Sequence, residues 1–212
     1  MNRPIIIIGA GGHAQVLIYS LNALRREIIG ILHPDASMIG QSIAGIPILG
    51  SDDKVKDYGS DVICLVNGVG SVSSMERRKD IYMKFKKKGY LFAKVIHPSA
   101  IVMDSVKLGE GSQIMAGAII QSGCVIGDDS IINTGAIVDH DCIIGAHTHV
   151  APGVVLSGGV HIGDMVHVGT SATVIQGVEI GDTAIIGAGA VVVRNILPGR
   201  KVVGVPAQEI NK

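Results

Sequence analysis

Between Ile96 and Val192 a branched aliphatic residue occurs at every sixth position without interruption. A helix face repeats about every 3.6 residues, so this period excludes a helix. The positions are Ile96, Val102, Leu108, Ile114, Ile120, Ile126, Ile132, Val138, Ile144, Val150, Leu156, Ile162, Val168, Val174, Ile180, Ile186 and Val192. The period is typical of a parallel β-helix of hexapeptides, in which three hexapeptides form a coil of about eighteen residues around an aliphatic core.

The composition agrees with a core enclosed by a narrow, three-sided β-helix. Hydrophobic residues make up 47% of the 212-residue chain, yet aromatic residues make up only 3% and tryptophan is absent. No apolar run reaches the roughly 18 residues that a membrane span needs. The chain also starts without a signal-peptide pattern, since Met1 to Pro4 leads directly into a short apolar run. We therefore expect a soluble, cytoplasmic protein that does not contact a membrane.

Cysteine spacing and charge restrict the possible partners. Cys124 and Cys142 occupy the same hexapeptide position one coil apart, so both should point into the core. Clustered Cys and His at zinc-ligand spacing are missing, and we expect no metal site. Residues 1–95 carry 13 Lys and Arg against 8 Asp and Glu, which would suit an anionic ligand. These basic residues are not interleaved with aromatic residues, so we expect no nucleic-acid partner.

Strand and helix patterns alternate in the first half of the chain. Ile5 to Ile8 form an aliphatic run that ends in a glycine turn, after which apolar residues recur at helical spacing. Asp61 to Val66 is another strand of the buried type, and it ends in a second glycine loop at Asn67 to Gly70. Ser73 or Ser74 should begin a charged helix, and Phe92 to Ile96 should be the last strand of this unit.

The alternation predicts two domains. Residues 1–95 should form a small Rossmann-like α/β domain that binds a nucleotide, with its ligand crevice at the carboxyl ends of parallel strands. Residues 96–212 should form the parallel β-helix, closed by a capping tail around Gly204 to Ala207.

The first glycine turn matches a dinucleotide fingerprint. Gly9, Gly11 and Ala14 fit its GxGxxA form, in which glycine lets backbone amides approach a phosphate at a helix N-terminus. A nicotinamide cofactor is disfavoured, because His33 and Pro34 replace the expected acidic residue and the domain is small. A tight turn without a ligand remains an alternative. We favour a phosphate-bearing ligand such as a nucleotide-sugar, contacted by Gly11, Gly12, His13 and Gly70.

Histidines in the repeat half miss the inward positions and are expected to face outwards. His140 falls at a corner between strands, next to Asp141, and one coil further on Gly158 should lie beside it. A histidine held by a carboxylate is a candidate general base, and a glycine N–H can face a developing oxyanion. His149 and His167 should form a ladder on one outer face. Each histidine is alternatively a polar residue on an exposed solenoid face.

Four segments together resemble the NeuD/PglD-type bacterial sugar acetyltransferases. They are Gly9 to Ala14, Ile96 to Ala100, Ile132 to Cys142 and Gly204 to Ala207. The resemblance covers essentially the whole chain. It implies that the β-helix is left-handed, that acetyl-CoA is the co-substrate, and that the protein is a homotrimer with the coenzyme in the groove between neighbouring β-helices.

The resemblance also implies residue roles. His140 matches the catalytic base, and Asp141 matches an acidic residue that raises the basicity of that histidine. The remaining matches are Asn133 near the acceptor, His149 and Gly158 at the thioester of acetyl-CoA, Thr170 and Ala188 along the coenzyme, and Gly11, Gly12 and His13 in the nucleotide-sugar loop. Ala188 stands where the family tends to have glycine.

Three functional hypotheses follow. The first is acetyl transfer to the amino group of a nucleotide-linked 4-amino-4,6-dideoxy sugar, UDP-linked or otherwise. The second is O-acetylation of a sialic or legionaminic-type acid, which stays open because His33 and Pro34 occupy the places of acidic residues that hold uridine in the UDP-sugar enzymes. The third is a non-catalytic trimeric scaffold that senses a nucleotide, although a scaffold does not need the His140–Asp141 corner.

Overall fold

A computed structural model describes residues 3–71 and 75–210. Its first part is a five-stranded sheet in which the first strand along the chain pairs in parallel with the second and the fifth, while the third and fourth strands form an antiparallel hairpin next to the second. The expected helix start at Ser73 or Ser74 lies outside the described residues. The elements are β1 Ile5–Ile8, α1 Gly12–Ala23, β2 Ile28–Leu32, β3 Ser42–Ile43, β4 Ile46–Gly50, β5 Cys64–Asn67 and α2 Glu76–Lys86, with 3₁₀ helices at Ala36–Met38 and Asp52–Asp57.

Strand β1 lies in the interior of this sheet, between β2 and β5. Its four isoleucines are all buried, as expected for a parallel strand covered on both faces. Because β5 lies beside β1 and runs parallel to it, the loops that follow these two strands leave the sheet at the same end of the strands. The two glycine loops therefore adjoin, and the crevice lies where the sequence predicts it.

The second part of the chain is a three-sided parallel β-helix of two-residue strands. The register confirms the coil length, since Ile119 pairs with Ile137 and Ile137 with Val155. Its strands are β6 Val95–Ile96, β7 Ile101–Val102, β8 Lys107–Leu108, β9 Gln113–Ile114, β10 Ile119–Ile120, β11 Val125–Ile126, β12 Ile131–Ile132, β13 Ile137–Val138, β14 Ile143–Ile144, β15 His149–Val150, β16 Val155–Leu156, β17 His161–Ile162, β18 His167–Val168, β19 Thr173–Val174, β20 Glu179–Ile180, β21 Ile185–Ile186, β22 Val191–Val192, β23 Lys201–Val203 and β24 Gln208–Glu209.

Each side of the prism is one sheet. Face 1 is the sheet of β6, β9, β12, β15, β18, β21, β23 and β24. Face 2 is the sheet of β7, β10, β13, β16, β19 and β22, and face 3 is the sheet of β8, β11, β14, β17 and β20. The chain passes from face 1 to face 2 to face 3 in every coil. The aliphatic column lies inside, and Cys124 and Cys142 are fully buried within it, as predicted. Strands β23 and β24 close the last coil on face 1.

The two parts share an interface on face 1. Strand β6 pairs with β9 of the β-helix, while Phe92 makes only an isolated bridge to Leu65. The expectation that Phe92 to Ile96 is one strand of the α/β sheet is therefore wrong, because its last two residues begin face 1 instead. Met115 and Ile131 of the β-helix belong to the same apolar cluster as β1 and α1. A continuous core thus fixes the α/β domain against face 1.

Candidate active site

His140 and Asp141 lie at the corner between faces 2 and 3, in the turn that joins β13 to β14. Nδ1 of His140 lies 2.9 Å from Oδ2 of Asp141, and both side chains are exposed. Gly158 lies one coil further along the same corner, as predicted. A Cβ atom on Gly158 would overlap Nε2 of His140, so only glycine lets the imidazole lie across this backbone.

Electrostatics at this corner favour the protonated imidazole. The hydrogen bond that His140 donates to Asp141, followed by the charge of Asp139, raises the pKa of His140 above its ordinary value. A raised pKa makes the neutral ring a stronger base. The backbone N–H of Gly159 donates to the carbonyl oxygen of His140 at 2.8 Å, whereas the N–H of Gly158 donates to no group in the described part of the chain. That N–H can therefore bond to a ligand.

His149 and His167 lie on face 1 and form the predicted ladder. Strands β15 and β18 pair them directly, and their ring centroids are 5.2 Å apart. The expectation that the histidines face outwards is correct only with respect to the prism, because the α/β domain covers face 1 and leaves His149 just 7% exposed. His147 is equally buried. Neither residue is the exposed polar group that a free solenoid face would present.

The neighbours of His149 come from both domains. Its Nε2 lies 3.0 Å from Nδ2 of Asn133, and its Nδ1 lies 2.5 Å from Oγ of Ser71, which follows the second glycine loop. Burial, followed by the influence of His167, His13 and Arg78, lowers the pKa of His149 to about 3. The ring is neutral at physiological pH. Asn133 and His149 are thus brought together as one polar cluster.

The two glycine loops meet at His13, the second residue of α1. Its Nε2 lies 2.7 Å from Oε1 of Gln113 on face 1, and burial lowers its pKa to about 4. A Cβ atom on Gly70 would contact Cβ of His13 at 3.4 Å, whereas Gly11 and Gly12 face open space. Backbone amides at the start of α1 are therefore accessible to an anion. The structure brings these four predicted residues to one edge of the crevice.

A buried ionic network that the sequence analysis missed lies behind these loops. Arg78 and Asp129 are fully buried and pair at 2.8 Å, joining α2 to the corner between faces 3 and 1. Asp129 also lies 3.1 Å from Nδ1 of His147. The guanidinium donates to the carbonyl oxygens of Asn67 and Val69 at 3.1 and 2.7 Å, so it holds the second glycine loop. No short-range signal reveals Arg78, because it lies in a charged run typical of an exposed helix.

A cavity of about 460 Å³ opens at the carboxyl ends of β1 and β2. Its apolar lining includes Ile8, Leu32 and Val69, and Pro34 closes one side. Three carboxylates and one guanidinium also line the cavity, although His33 and Pro34 replace the acidic residues expected after β2. The charged residues of the lining are Asp52, Glu76, Arg77 and Asp80. These side chains follow β4 or belong to α2, and the sequence analysis did not identify them.

The predicted coenzyme contacts lie on two different corners. Thr170 and Ala188 stack one coil apart at the corner between faces 1 and 2, where the N–H of Gly189 donates to the carbonyl oxygen of Thr170 at 2.8 Å. Gly158 lies at the corner between faces 2 and 3, on the other side of the strands of face 2. One chain therefore does not bring Gly158 together with Thr170 and Ala188, nor His140 together with His149.

Residues 3–71 and 75–210 contain no cluster of three or more His, Cys, Asp or Glu side chains arranged to hold a metal ion. Neither described helix is both long enough and apolar enough to cross a lipid bilayer.

Family comparisons match most of the chain. The family described as "PglD N-terminal domain" matches residues 4–85. Bacterial transferase hexapeptides match residues 105–140 and 123–158, and the hexapeptide repeat of succinyl-transferase matches residues 159–194. Comparison with curated protein sequences gives no match.

Solved structures match over the full length. A perosamine N-acetyltransferase variant from Caulobacter crescentus, in complex with CoA and GDP-perosamine, is 39% identical, with a TM-score of 0.92 and coverage of 99% of this chain and 97% of that one. The acetyltransferase domain of PglB from Neisseria gonorrhoeae, in complex with acetyl coenzyme A, is 35% identical, with a TM-score of 0.91 and coverage of 99% and 100%. WeeI from Acinetobacter baumannii is 26% identical, with a TM-score of 0.87 and coverage of 99% and 100%.

These comparisons confirm the predicted fold class, an α/β domain followed by a left-handed β-helix of hexapeptide repeats. They also decide between the enzymatic hypotheses and the scaffold, because the full-length matches of known activity are acetyltransferases. The chain belongs to the NeuD/PglD family of hexapeptide-repeat acetyltransferases.

Proposed function

We propose that this protein transfers the acetyl group of acetyl-CoA to the amino group of a nucleotide-linked 4-amino-4,6-dideoxy sugar, with His140 as the general base. The geometry of the His140 corner carries this proposal. A carboxylate only accepts hydrogen bonds, so Asp141 holds the proton of His140 on Nδ1. The lone pair of Nε2 is then directed past Gly158, where it can accept a proton from an amine.

The reaction is a direct transfer. The amine nitrogen attacks the thioester carbonyl and forms the new C–N bond, while one of its protons passes to Nε2 of His140. The tetrahedral intermediate then expels the CoA sulfur, which takes the proton back from the imidazolium. In this proposal the N–H of Gly158, which donates to no group in the described part of the chain, would donate to the oxyanion. An acyl-enzyme on Cys142 is disfavoured, because burial raises the pKa of that thiol to about 11.

Relatives support acetyl-CoA as the co-substrate. The PglB acetyltransferase domain was solved with acetyl coenzyme A, and perosamine N-acetyltransferase with CoA. The residues for the coenzyme are His149, Gly158, Thr170 and Ala188. Of these, Ala188 is exposed at its corner, so a methyl group replaces glycine without meeting the protein core.

The α/β domain is proposed to hold the nucleotide. Gly11, Gly12 and His13 present helix N-terminal amides to the diphosphate, with Gly70 beside them. The cavity at the ends of β1 and β2 would take the base. The carboxylate of Asp80 in its lining only accepts hydrogen bonds, and guanine offers both N1–H and a 2-amino group where uracil offers one N–H. This favours a GDP-sugar, in agreement with GDP-perosamine in the Caulobacter relative.

A homotrimer would complete the site. Face 2 presents an outward column with several aliphatic side chains, including Ile101 and Ile137, which are 52% and 38% exposed. Packing of such faces would place the corner between faces 2 and 3 of one subunit against the corner between faces 1 and 2 of its neighbour. His140 and Gly158 of one chain would then meet Asn133, Thr170 and Ala188 of the next.

A substrate panel tests the proposed reaction. GDP-perosamine, UDP-linked 4-amino sugars and nonulosonic acids are incubated with acetyl-CoA, and free CoA release is followed with a thiol reagent. We expect turnover with GDP-perosamine, weaker turnover with the UDP-sugars and none with the acids. Turnover confined to the nonulosonic acids would overturn N-acetylation in favour of O-acetylation.

Mixing inactive variants tests the shared site. His140→Ala and Asn133→Ala chains are each purified, then unfolded and refolded together so that mixed oligomers form. If the site is completed by a neighbouring subunit, some sites in the mixture contain both native residues and activity returns. Refolded mixtures that stay as inactive as either variant alone would contradict a shared site, provided that refolded wild type is active.

A further inference from the structure

A chain of hydrogen bonds crosses the interface between the α/β domain and face 1 at His149. Ser71 is buried, and its hydroxyl contacts Nδ1 of His149 at 2.5 Å and Nδ1 of His167 at 3.2 Å. On the other side of the ring, Nε2 of His149 lies 3.0 Å from Nδ2 of Asn133. Both nitrogens of one imidazole are therefore engaged, by groups from two domains.

The direction of this chain follows from Asn133. The backbone N–H of Thr134 donates to Oδ1 of Asn133 at 2.7 Å, which identifies that atom as the oxygen and Nδ2 as the amide nitrogen. Nδ2 only donates, so Nε2 of His149 must accept. The ring is neutral, so its single proton lies on Nδ1 and is donated to Oγ of Ser71. The hydroxyl proton of Ser71 is left to donate to His167.

We infer that Ser71 is a positioning residue, which accepts the Nδ1 proton of His149 and, together with Asn133, holds the ring as the Nδ1–H tautomer beside the acetyl-transfer site. This assignment rests on the proposed function, in which His149 lies at the thioester end of acetyl-CoA. With this proton arrangement Nε2 of His149 accepts from Asn133, so His149 does not donate to the thioester carbonyl. The donor beside it is the amide of Asn133.

The surroundings of Ser71 explain how a loop residue can hold the ring of His149 in place. Arg78 holds the carbonyl oxygens of Asn67 and Val69, and Nδ2 of Asn67 lies 3.2 Å from Oδ1 of Asp129. The loop that contacts the nucleotide-sugar in the proposed function is thereby tied to face 1 just before Ser71. Ser71 thus links the loop of the acceptor domain to a side chain of the proposed coenzyme site.

The test combines a spectroscopic and a kinetic measurement on the full-length protein. Long-range ¹H–¹⁵N spectra of ¹⁵N-histidine-labelled protein report which ring nitrogen of His149 carries the proton, with His149→Asn used for assignment. We expect the Nδ1–H pattern in wild type and in Ser71→Thr, which keeps the hydroxyl. In Ser71→Ala the Nδ1–H loses the Oγ acceptor while Asn133 still donates to Nε2, so we expect an added, minor Nε2–H population. Ser20→Ala removes another buried serine hydroxyl, within α1, and should behave as wild type.

With GDP-perosamine and acetyl-CoA, Ser71→Ala should lower kcat about tenfold with KM for the sugar changed by less than about twofold. Ser71→Thr should recover most of the rate. The inference is overturned if wild-type His149 is the Nε2–H tautomer, or if Ser71→Ala changes neither the tautomer nor kcat. The wild-type spectrum decides the tautomer even if Ser71→Ala fails to fold. A wild type without turnover would instead refute the proposed function while leaving the tautomer measurement valid.

Discussion

Two histidines of one β-helix have opposite environments. His140 is exposed at the corner between faces 2 and 3, where the Asp141 hydrogen bond raises its pKa. His149 is buried on face 1 under the α/β domain, and burial lowers its pKa to about 3. The first ring can exchange a proton with solvent or substrate near neutral pH. The second remains neutral and serves as a fixed hydrogen-bonding group.

The difference arises from what covers each part of the prism. The hexapeptide repeat places both residues outside the core, so the repeat alone does not distinguish their environments. Docking of the α/β domain through the Arg78–Asp129 pair desolvates face 1 and leaves the His140 corner open. The same repeat therefore supplies a base and a positioning group according to the domain packed against it.

The largest expected effect is that of removing His140. Because its Nε2 is the proposed proton acceptor, His140→Ala should lower kcat at least about a hundredfold. Coenzyme binding, measured by calorimetry, should be unchanged. His161→Ala removes another exposed histidine, on face 3, and serves as the control that should retain wild-type turnover. A His140→Ala enzyme with near-wild-type kcat would contradict the assignment of the base.

The next effect is on stability. Arg78→Met leaves Asp129 buried without its cationic partner, which should reduce the free energy of unfolding by about 3–5 kcal/mol. Arg77→Met changes the exposed neighbour in the same helix and should cost less than about 1 kcal/mol. Chemical denaturation measures both. Equal losses in the two variants would show that the buried pair does not hold the domains together.

The pH dependence of the free energy of unfolding should distinguish His149 from His140. The folded-state pKa of His149 is about 3, below its model-peptide value of 6.5, so the unfolded chain binds this proton first as the pH falls. The free energy of unfolding should therefore decline between pH 6.5 and pH 4. His149→Asn should remove a contribution on the order of 2 kcal/mol to that decline.

His140→Asn provides the opposite case in the same denaturation series. The pKa of His140 is raised in the folded state, so its contribution to stability is present at low pH and is lost as the pH rises. Replacing His140 should therefore leave the decline of the free energy of unfolding at low pH as steep as in the wild type. If the two Asn variants behave alike, the contrast between the sites is wrong.

A smaller effect is expected for Asp141→Asn. Loss of the carboxylate removes the main cause of the raised pKa of His140, so the acidic limb of the kcat/KM profile should move to lower pH. Asp104→Asn, an exposed carboxylate in the first coil, should leave the profile in place. An acidic limb that does not move in Asp141→Asn would show that this carboxylate does not tune the base.

Much of this architecture follows from the period of six. It predicted the β-helix, the inward cysteines, the contact of Gly158 with His140 and the ladder of His149 with His167, because each depends only on register along the repeat. The strand pattern at Phe92 to Ile96 was visible, but a pattern does not tell which sheet a strand joins.

The interface could not be predicted in the same way. Ser71, Arg78 and Asp129 are distant in sequence and follow no common period, and each residue is ordinary in its local segment. Arg78 lies in a charged helix and Asp129 in a turn, so both have the pattern of exposed residues. Their burial depends on how the two domains pack, and the six-residue period of the sequence carries no information about that packing.

The most direct test of the contrast is an NMR pH titration of the histidine side chains in the wild-type protein. We expect His140 to titrate above pH 6.5 and His149 to stay neutral throughout the range in which the protein remains folded. Titration of His149 near pH 6.5, or of His140 below it, would contradict the division between an exposed base and a buried positioning group.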